Sequence, residues 1–345
     1  MKEGWEYKRL GEVCNIYQPK TLSSKELVED GKYLVYGANG VIGKYNSYNH
    51  ESSEVLMTCR GATCGTINVS KPYSWINGNA MVVHPQHNIL SQNFLFYLLK
   101  GLDLSDVITG AAQPQITRQS LAPKKIAIPS LSEQQHIVDE LDLLSSIIEK
   151  KKAQLNELDN LAQSLFYEMF GDPITNDKGW EVRKLNDIYK LKSGDGLSAK
   201  NFVEGIYPVY GGNGISGYHN AYNMNGDFII IGRVGAYCGN VRYVKGLFWL
   251  TDNAFQLFFD ANIQTPVFVL YLLTLLDLHR FANEAAQPVI SNKTLRDLDI
   301  IIPPLDLQNQ FASKIEAIEH QKELIKQSIK EVETLFNSRM DYYFN

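Results

Sequence analysis

The sequence predicts an α+β protein: two homologous β-rich domains joined by two long antiparallel coiled-coil helices, with internal pseudo-two-fold symmetry. Three observations predict this. Gly4-Trp5-Glu6-Tyr7-Lys8-Arg9-Leu10 returns as Gly179-Trp180-Glu181-Val182-Arg183-Lys184-Leu185, and the copies then run in step at an offset of 174 or 175 residues almost to the end. The first part of each copy is rich in Gly, Asn, Tyr and β-branched residues with frequent turn signals. The second part is a long run in which apolar residues alternate at spacings of four and three. Expected boundaries are 1–130 and 173–304 for the β-rich domains, and 131–172 and 305–345 for the helices.

The repeat covers the whole chain. Tyr33-Leu34-Val35-Tyr36-Gly37 pairs with Tyr207-Pro208-Val209-Tyr210-Gly211, Asn39-Gly40 with Asn213-Gly214, and Cys64-Gly65 with Cys238-Gly239. Asn79-Ala80 pairs with Asn253-Ala254, Ala111-Ala112-Gln113-Pro114 with Ala285-Ala286-Gln287-Pro288, and Ile128-Pro129 with Ile302-Pro303. Arg60 and Arg233 are read as a further equivalent pair, since each follows an apolar strand beside a Gly-Ala step. The period far exceeds that of solenoids and propellers, so each unit is a domain in its own right.

Within each domain, Val55–Met57, Ile67–Val69, Ala80–Val83, Phe228–Ile231 and Phe255–Phe259 read as strands. Helices are expected at Gln92–Lys100 and Pro266–Asp277. No Pro or Gly interrupts residues 132–170. The expected seam there is Ile137, Leu141, Leu144, Ile148, Leu155, Leu158, Ala162, Leu165 and Met169, with Lys151 in the gap. The second helix offers Phe311, Ile315, Ile318, Ile325, Ile329, Val332 and Phe336, with Lys322 in the gap. Ser132 and Gln135 suggest a capping box at the first helix start, and Gly171-Asp172-Pro173 its end. About 39 residues make a helix about 58 Å long. Two such seams bury each other most simply as an antiparallel pair, with a β-rich domain at each end of a rod. The lysines snorkel to water or help fix register.

Composition narrows the function. The 345 residues carry a net charge of −5, which weighs against a protein gripping nucleic acid alone through bulk electrostatics. The longest apolar run, near Val267–Leu276, is too short to span a bilayer. The start lacks an apolar signal segment, and the four cysteines form no CxxC pair, so they read as buried reduced thiols in a cytoplasmic protein. Gly212-Asn213-Gly214-Ile215-Ser216-Gly217 matches a dinucleotide fingerprint, but no helical stripe follows, so turn glycines are the better reading. His84-Pro85-Gln86-His87 has no histidine in its copy and reads as a surface loop. No P-loop, GxSxG, HExxH or acid/base pair stands out. No cofactor and no metal are expected.

Repeated polar residues remain. Arg60 and Arg233 suit a guanine edge or a phosphate, or are satisfied strand-end arginines. Tyr36, Tyr210, Asn39 and Asn213 lie in a glycine turn that turn chemistry alone also explains. Asn79 and Asn253 recur in both copies. Gln113 and Gln287 open short polar loops continued by Gln115, Thr117 and Arg118, and by Ser291, Asn292 and Lys293, which suit base-edge or phosphate contact, or simply solvent.

The paired Gly-Trp-x-x-x-x-Leu openings, the Ala-Ala-Gln-Pro-x-Ile blocks, Ile-Pro-x-Leu-x-x-Gln-(Gln/Asn) and the helices together resemble the specificity subunit of type I restriction-modification enzymes, over the whole chain. The resemblance implies that each β-rich domain is a target-recognition domain reading one half of a bipartite double-stranded DNA target. It implies that the helices set the gap between halves and dock two adenine methyltransferase subunits. A restriction/translocase subunit would join them, and this chain would hold no active site. Residues identical in both copies would then be scaffold or backbone contacts. Differing loop positions, such as Gln115 against Val289, would discriminate bases. The rival readings are a coiled-coil scaffold displaying protein- or glycan-binding domains, and a free-standing enzyme using the glycine loops.

Overall fold

The structure, a computed structural model, describes residues 4–110, 113–283 and 287–345. Ala111-Ala112 and Ala285-Ala286 of the repeated block lie outside the described residues. The chain divides into two compact units, Met1–Lys152 with Gln327–Asn345, and Ala153–Lys326.

The first unit runs β1 (Glu6–Arg9), α1 (Leu10–Val13), β2 (Cys14–Tyr17), β3 (Tyr33–Gly37), β4 (Gly40–Tyr45), β5 (Val55–Thr58), β6 (Ile67–Val69), β7 (Trp75–Ile76), β8 (Ala80–Pro85), α2 (Gln92–Gly101), α3 (Arg118–Leu121) and β9 (Lys125–Ile128), then enters α4 (Leu131–Phe170). Its sheets have the orders β2-β8-β5-β6, β4-β3-β7 and β1-β9. The second unit follows α4 with β10 (Glu181–Lys184), α5 (Leu185–Ile188), β11 (Lys190–Ser193), β12 (Tyr207–Gly211), β13 (Gly214–His219), β14 (Met224–Gly232), β15 (Val241–Leu250), β16 (Ala254–Phe258), α6 (Pro266–Leu275), α7 (Asn292–Leu295), β17 (Asp299–Ile302) and α8 (Leu305–Phe344). Here one six-stranded sheet, β11-β16-β14-β15-β12-β13, accompanies the β10-β17 pair.

The two topologies are the same except at one break. The ten residues of β15 run unbroken and pair with both β14 and β12. In the first unit the matching stretch splits into β6 and β7. Pro72 stands where the second unit has Gly246, in register with Gly226. A proline has no N–H to give the ladder, so the strand stops there.

The expected strands and helices form with small shifts. The α6 helix ends at Leu275, short of Asp277, which takes a left-handed backbone with φ of 46°. Ser130 rather than Ser132 caps α4: its hydroxyl accepts the Glu133 N–H at 3.3 Å, while Gln135 turns one helical step onward to Asp139 at 2.7 Å. Gly171, with φ of 76°, closes the other end. His84 is not in a surface loop. It lies on β8, and its Nδ1 meets the buried Glu54 carboxylate at 2.8 Å. The cysteines are free thiols; burial pushes Cys14 up to about 12, whereas Cys64 is partly exposed.

The helices pair antiparallel inside each unit. In the first, Glu140 meets Arg339 at 2.5 Å and Lys152 meets Glu333 at 2.9 Å, so one helix ascends as the other descends. In the second, Asp159 meets Lys322 at 2.6 Å, and Phe166 packs edge-on to Phe311 at 5.7 Å between ring centres. Lys322 does not snorkel: only 14% of its side chain is exposed, and Asp159 and Glu319 hold its ammonium. Ile137, Leu141, Leu144, Phe311, Ile315, Ile318 and Ile329 are buried. Ile148, Leu155, Leu158, Ile325 and Val332 are only half-buried, as expected where a single facing helix covers a seam. Towards its C-terminus α4 leaves the heptad. Phe166 and Phe170, not Leu165 and Met169, are fully buried there, because that turn packs into a domain core as well as on a helix.

One buried device recurs in both units. Gln134 accepts the Ser91 N–H at 2.8 Å and donates to the carbonyls of Ile89 at 2.8 Å and Pro129 at 3.0 Å. Gln308 does the same for Thr265 at 2.8 Å, Ile263 at 3.0 Å and Pro303 at 2.9 Å. Each glutamine ties the start of a long helix to the loop that opens α2 or α6. Gln134→Ala leaves these buried backbone groups unpaired, each costing about 1–3 kcal/mol. We therefore expect roughly 3–5 kcal/mol lost from the first unit, visible as a lowered urea midpoint. A midpoint within error of wild type would contradict this role.

Candidate nucleic-acid interface

In each unit, backbone hydrogen bonds draw four loops together. In the first, the Asn77 N–H donates to the Tyr36 carbonyl at 2.9 Å and the Cys59 N–H to the Asn79 carbonyl at 3.4 Å. Gly61 donates to Pro114 and Ile116 to Cys59, both at 3.0 Å. The second unit repeats the pattern: Thr251 to Tyr210 at 2.9 Å, Arg233 to Asn253 at 3.0 Å, Gly235 to Pro288 at 2.9 Å, and Ile290 to Arg233 at 2.8 Å. Gly40 and Gly214, with φ of 115° and 101°, make the Asn-Gly turns between β3 and β4 and between β12 and β13. The glycine run at 212–217 is thus a hairpin followed by a strand, not by a helix.

This register corrects one pairing read from the sequence. Arg233 is the structural counterpart of Cys59, and Arg60 of Val234. The isolated bridges agree: Arg60 pairs with Gln115, and Val234 with Val289. An Arg-Gly step in one copy and Arg-Val-Gly in the other disguise a one-residue displacement. Arg60 is exposed, and its guanidinium has no hydrogen-bond or ion-pair partner among the described residues. Arg233 is half-buried. Its Nη1 donates to Ser193 Oγ at 3.1 Å and the Asp252 carbonyl at 3.2 Å, and its guanidinium lies 4.9 Å from the Phe255 ring centre. It is a structural arginine, anchored through Nη1 and the Phe255 ring although its buried Nε has no partner among the described residues, so the two do not form one repeated contact.

The other candidates divide in the same way. Tyr36 is a core residue whose hydroxyl accepts the Lys71 N–H at 3.1 Å; buried so, it offers no surface to a ligand. Tyr210 is half-buried, edge-on to Phe248 at 5.4 Å. Asn39 is exposed, but its Oδ1 is engaged by Thr63 Oγ1 at 2.6 Å and Thr58 Oγ1 at 3.3 Å. Thr117 and Ser291 use their hydroxyls as N-caps of α3 and α7, accepting Ser120 N–H at 3.1 Å and Thr294 N–H at 3.3 Å. The Asn292 amide donates to the Leu191 carbonyl at 3.3 Å. Asn79, Gln113, Arg118, Asn253, Gln287 and Lys293 are exposed, and Gln115 is half-buried.

Three of these converge. A cavity of about 510 Å³ in the second unit is lined by Asn213, Asn253 and Gln287, with Val234, Thr251 and Ser216 among the rest of its wall. Each amide offers a donor and an acceptor, the pair needed to read an adenine edge. Arg242 adds a basic group beside it, donating to the Asn213 carbonyl at 3.3 Å. The sequence gives no sign of Arg242, because its counterpart is Asn68 and no motif repeats there.

Comparison with known proteins gives a consistent picture. The family described as type I restriction modification DNA specificity domain matches residues 2–160 and again 177–334. The EcoprrI specificity subunit of Escherichia coli is 31% identical over 53% of this chain and 48% of its own length. The MjaIX specificity subunit of Methanocaldococcus jannaschii is 31% identical over 41% of this chain and 36% of its own. The chain therefore spans about half or less of these relatives. A Haemophilus influenzae chain provisionally named a type I restriction enzyme specificity subunit is 24% identical over 98% of this chain and 94% of its own. The S subunit structure from M. genitalium superimposes with a TM-score of 0.64 at 16% identity, over 99% of this chain and 96% of that one.

Proposed function

The chain belongs to the type I restriction modification DNA specificity domain family, and on that premise we propose that it is the sequence-recognition subunit of a type I restriction-modification complex. The carrying observation is the duplicated loop face: one backbone frame, built twice, bearing different side chains. Two readers with different surfaces suit a target of two unlike halves. Residues 1–130 and 173–304 form the recognition domains, each reading one half of a bipartite duplex. The exposed polar residues of the loop face, Asn79, Gln113, Arg118, Asn253, Gln287 and Lys293 among them, contact the DNA. Residues 131–172 and 305–345 set the spacing and dock two adenine methyltransferase subunits, with which restriction/translocase subunits assemble. The partners supply the catalysis and much of the basic surface that this acidic chain lacks. The complex works in the cytoplasm; no helix among the described residues is long and apolar enough to cross a membrane.

The ruler role has a direct test. Inserting one heptad into each helix, between Lys152 and Ala153 and between Lys326 and Gln327, keeps the seam in phase and adds about 10.5 Å. That length matches about three base pairs at 3.4 Å each. Long-read methylome sequencing of a host carrying the complete system should show both half-sites intact and the gap widened. A gap of unchanged length defeats the ruler reading.

A further inference from the structure

The corrected register exposes a difference between the two readers that sequence identity conceals. At one place in the loop face the first unit puts Arg60 opposite Gln115; the second puts Val234 opposite Val289. Residues directly opposite in an antiparallel bridge project from the same face. The first unit thus presents an exposed guanidinium, unpartnered among the described residues, beside an amide, and the second presents two isopropyl groups on the same frame. Resting on the recognition reading above, we propose that Arg60 reads a guanine in the first unit's half-site, while Val234 and Val289 meet a thymine methyl at the matching step of the other half-site.

The chemistry follows from the groove code. A guanidinium can donate two bonds to guanine O6 and N7, and a branched apolar side chain suits the C5-methyl of thymine. Val234 also forms part of the amide-lined cavity holding Asn213, Asn253 and Gln287, whose side chains pair best with adenine. The second unit's reader is therefore built for A·T pairs, and the first includes a G·C pair. Arg60 is free for this role where Arg233 is not. The Ser193 and Phe255 that hold Arg233 have Gln18 and Met81 as counterparts, and Gln18 donates instead to Cys59 Sγ at 3.0 Å.

The test uses the complete system in a host and reads methylation at every genomic site, with wild type, Arg60→Ala and the double variant Val234→Arg/Val289→Gln. Wild type should show a bipartite motif with an invariant G·C pair in the first half-site. Arg60→Ala should make that one pair degenerate, narrowing discrimination there by about ten- to a hundredfold, with the second half-site unchanged. The double variant should shift one A·T position of the second half-site towards G·C. A uniform loss of methylation in Arg60→Ala, with the motif intact, would mean a phosphate contact and overturn the assignment. So would a second half-site unmoved by a double variant that still methylates. A wild-type pattern without two half-sites would instead defeat the recognition reading itself. Arg60 is exposed, so folding of its variant, checked by circular dichroism, should match wild type.

Discussion

Exchanging residues 15–130 for the matching segment of another family member is expected to rewrite one half of the methylated motif and leave the other half untouched. The fold explains why the exchange is tolerable. The segment begins just inside β2 and ends two residues beyond β9. Its closing contact, the antiparallel pairing of β1 with β9, is made by backbone groups at Glu6–Ile128 through Arg9–Lys125, which accept almost any side chain. All four loops of the first unit's reading face travel within the segment, while those of the second stay behind. Methylome sequencing gives the outcome. A change in both half-sites would show that the two units do not read independently.

Replacing Phe311 by alanine should be among the most damaging single changes. Its ring is fully buried and lies within 5.3–5.7 Å of the ring centres of Phe166, Phe170 and Tyr271. Phe268 completes the cluster, 4.8 Å from Phe170. Emptying a core position of this size costs about 3–5 kcal/mol, of which edge-to-face pairs contribute a part. Since a domain of ordinary stability holds about 5–15 kcal/mol, the second unit should lose a large share of its margin. Chemical denaturation should show a strongly lowered midpoint. Leu324→Ala, on the same helix but 55% exposed, serves as the control and should shift it little. Equal effects of the two variants would contradict the packing argument.

Much of this was legible in the chain. A duplication of this length announces two domains of one fold, and a heptad run with one lysine gap in each copy announces long paired helices. What stayed hidden shares one physical cause: a side chain's role depends on neighbours that spacing does not name. Gln134 and Gln308 look like solvated helix residues until the loops they hold are in place. Phe166 and Phe170 fall outside a two-helix seam because they answer to a domain core. Arg60 and Arg233 look equivalent in letters, and only hydrogen-bond register separates them. Tyr36 repeats for the sake of the core, not of a ligand. Conversely, the amides of the second unit's cavity were picked out by repetition, yet nothing in the sequence says that Asn213, Asn253 and Gln287 meet.

The partition of the chain carries a consequence for its folding. The second unit is one continuous segment, while the first is assembled from the two ends of the molecule. To close the first unit alone, the chain must bring together the ends of an unstructured loop of about 170 residues, an entropic penalty of about 4–5 kcal/mol. A folded second unit removes most of that penalty. The chain enters and leaves it on two helical segments already held side by side, as the Asp159–Lys322 pair shows. Order of assembly is thereby written into connectivity. We therefore expect the second unit to fold first, and the first to be completed when Gln327–Asn345 supplies Met340 and Phe344 to its core.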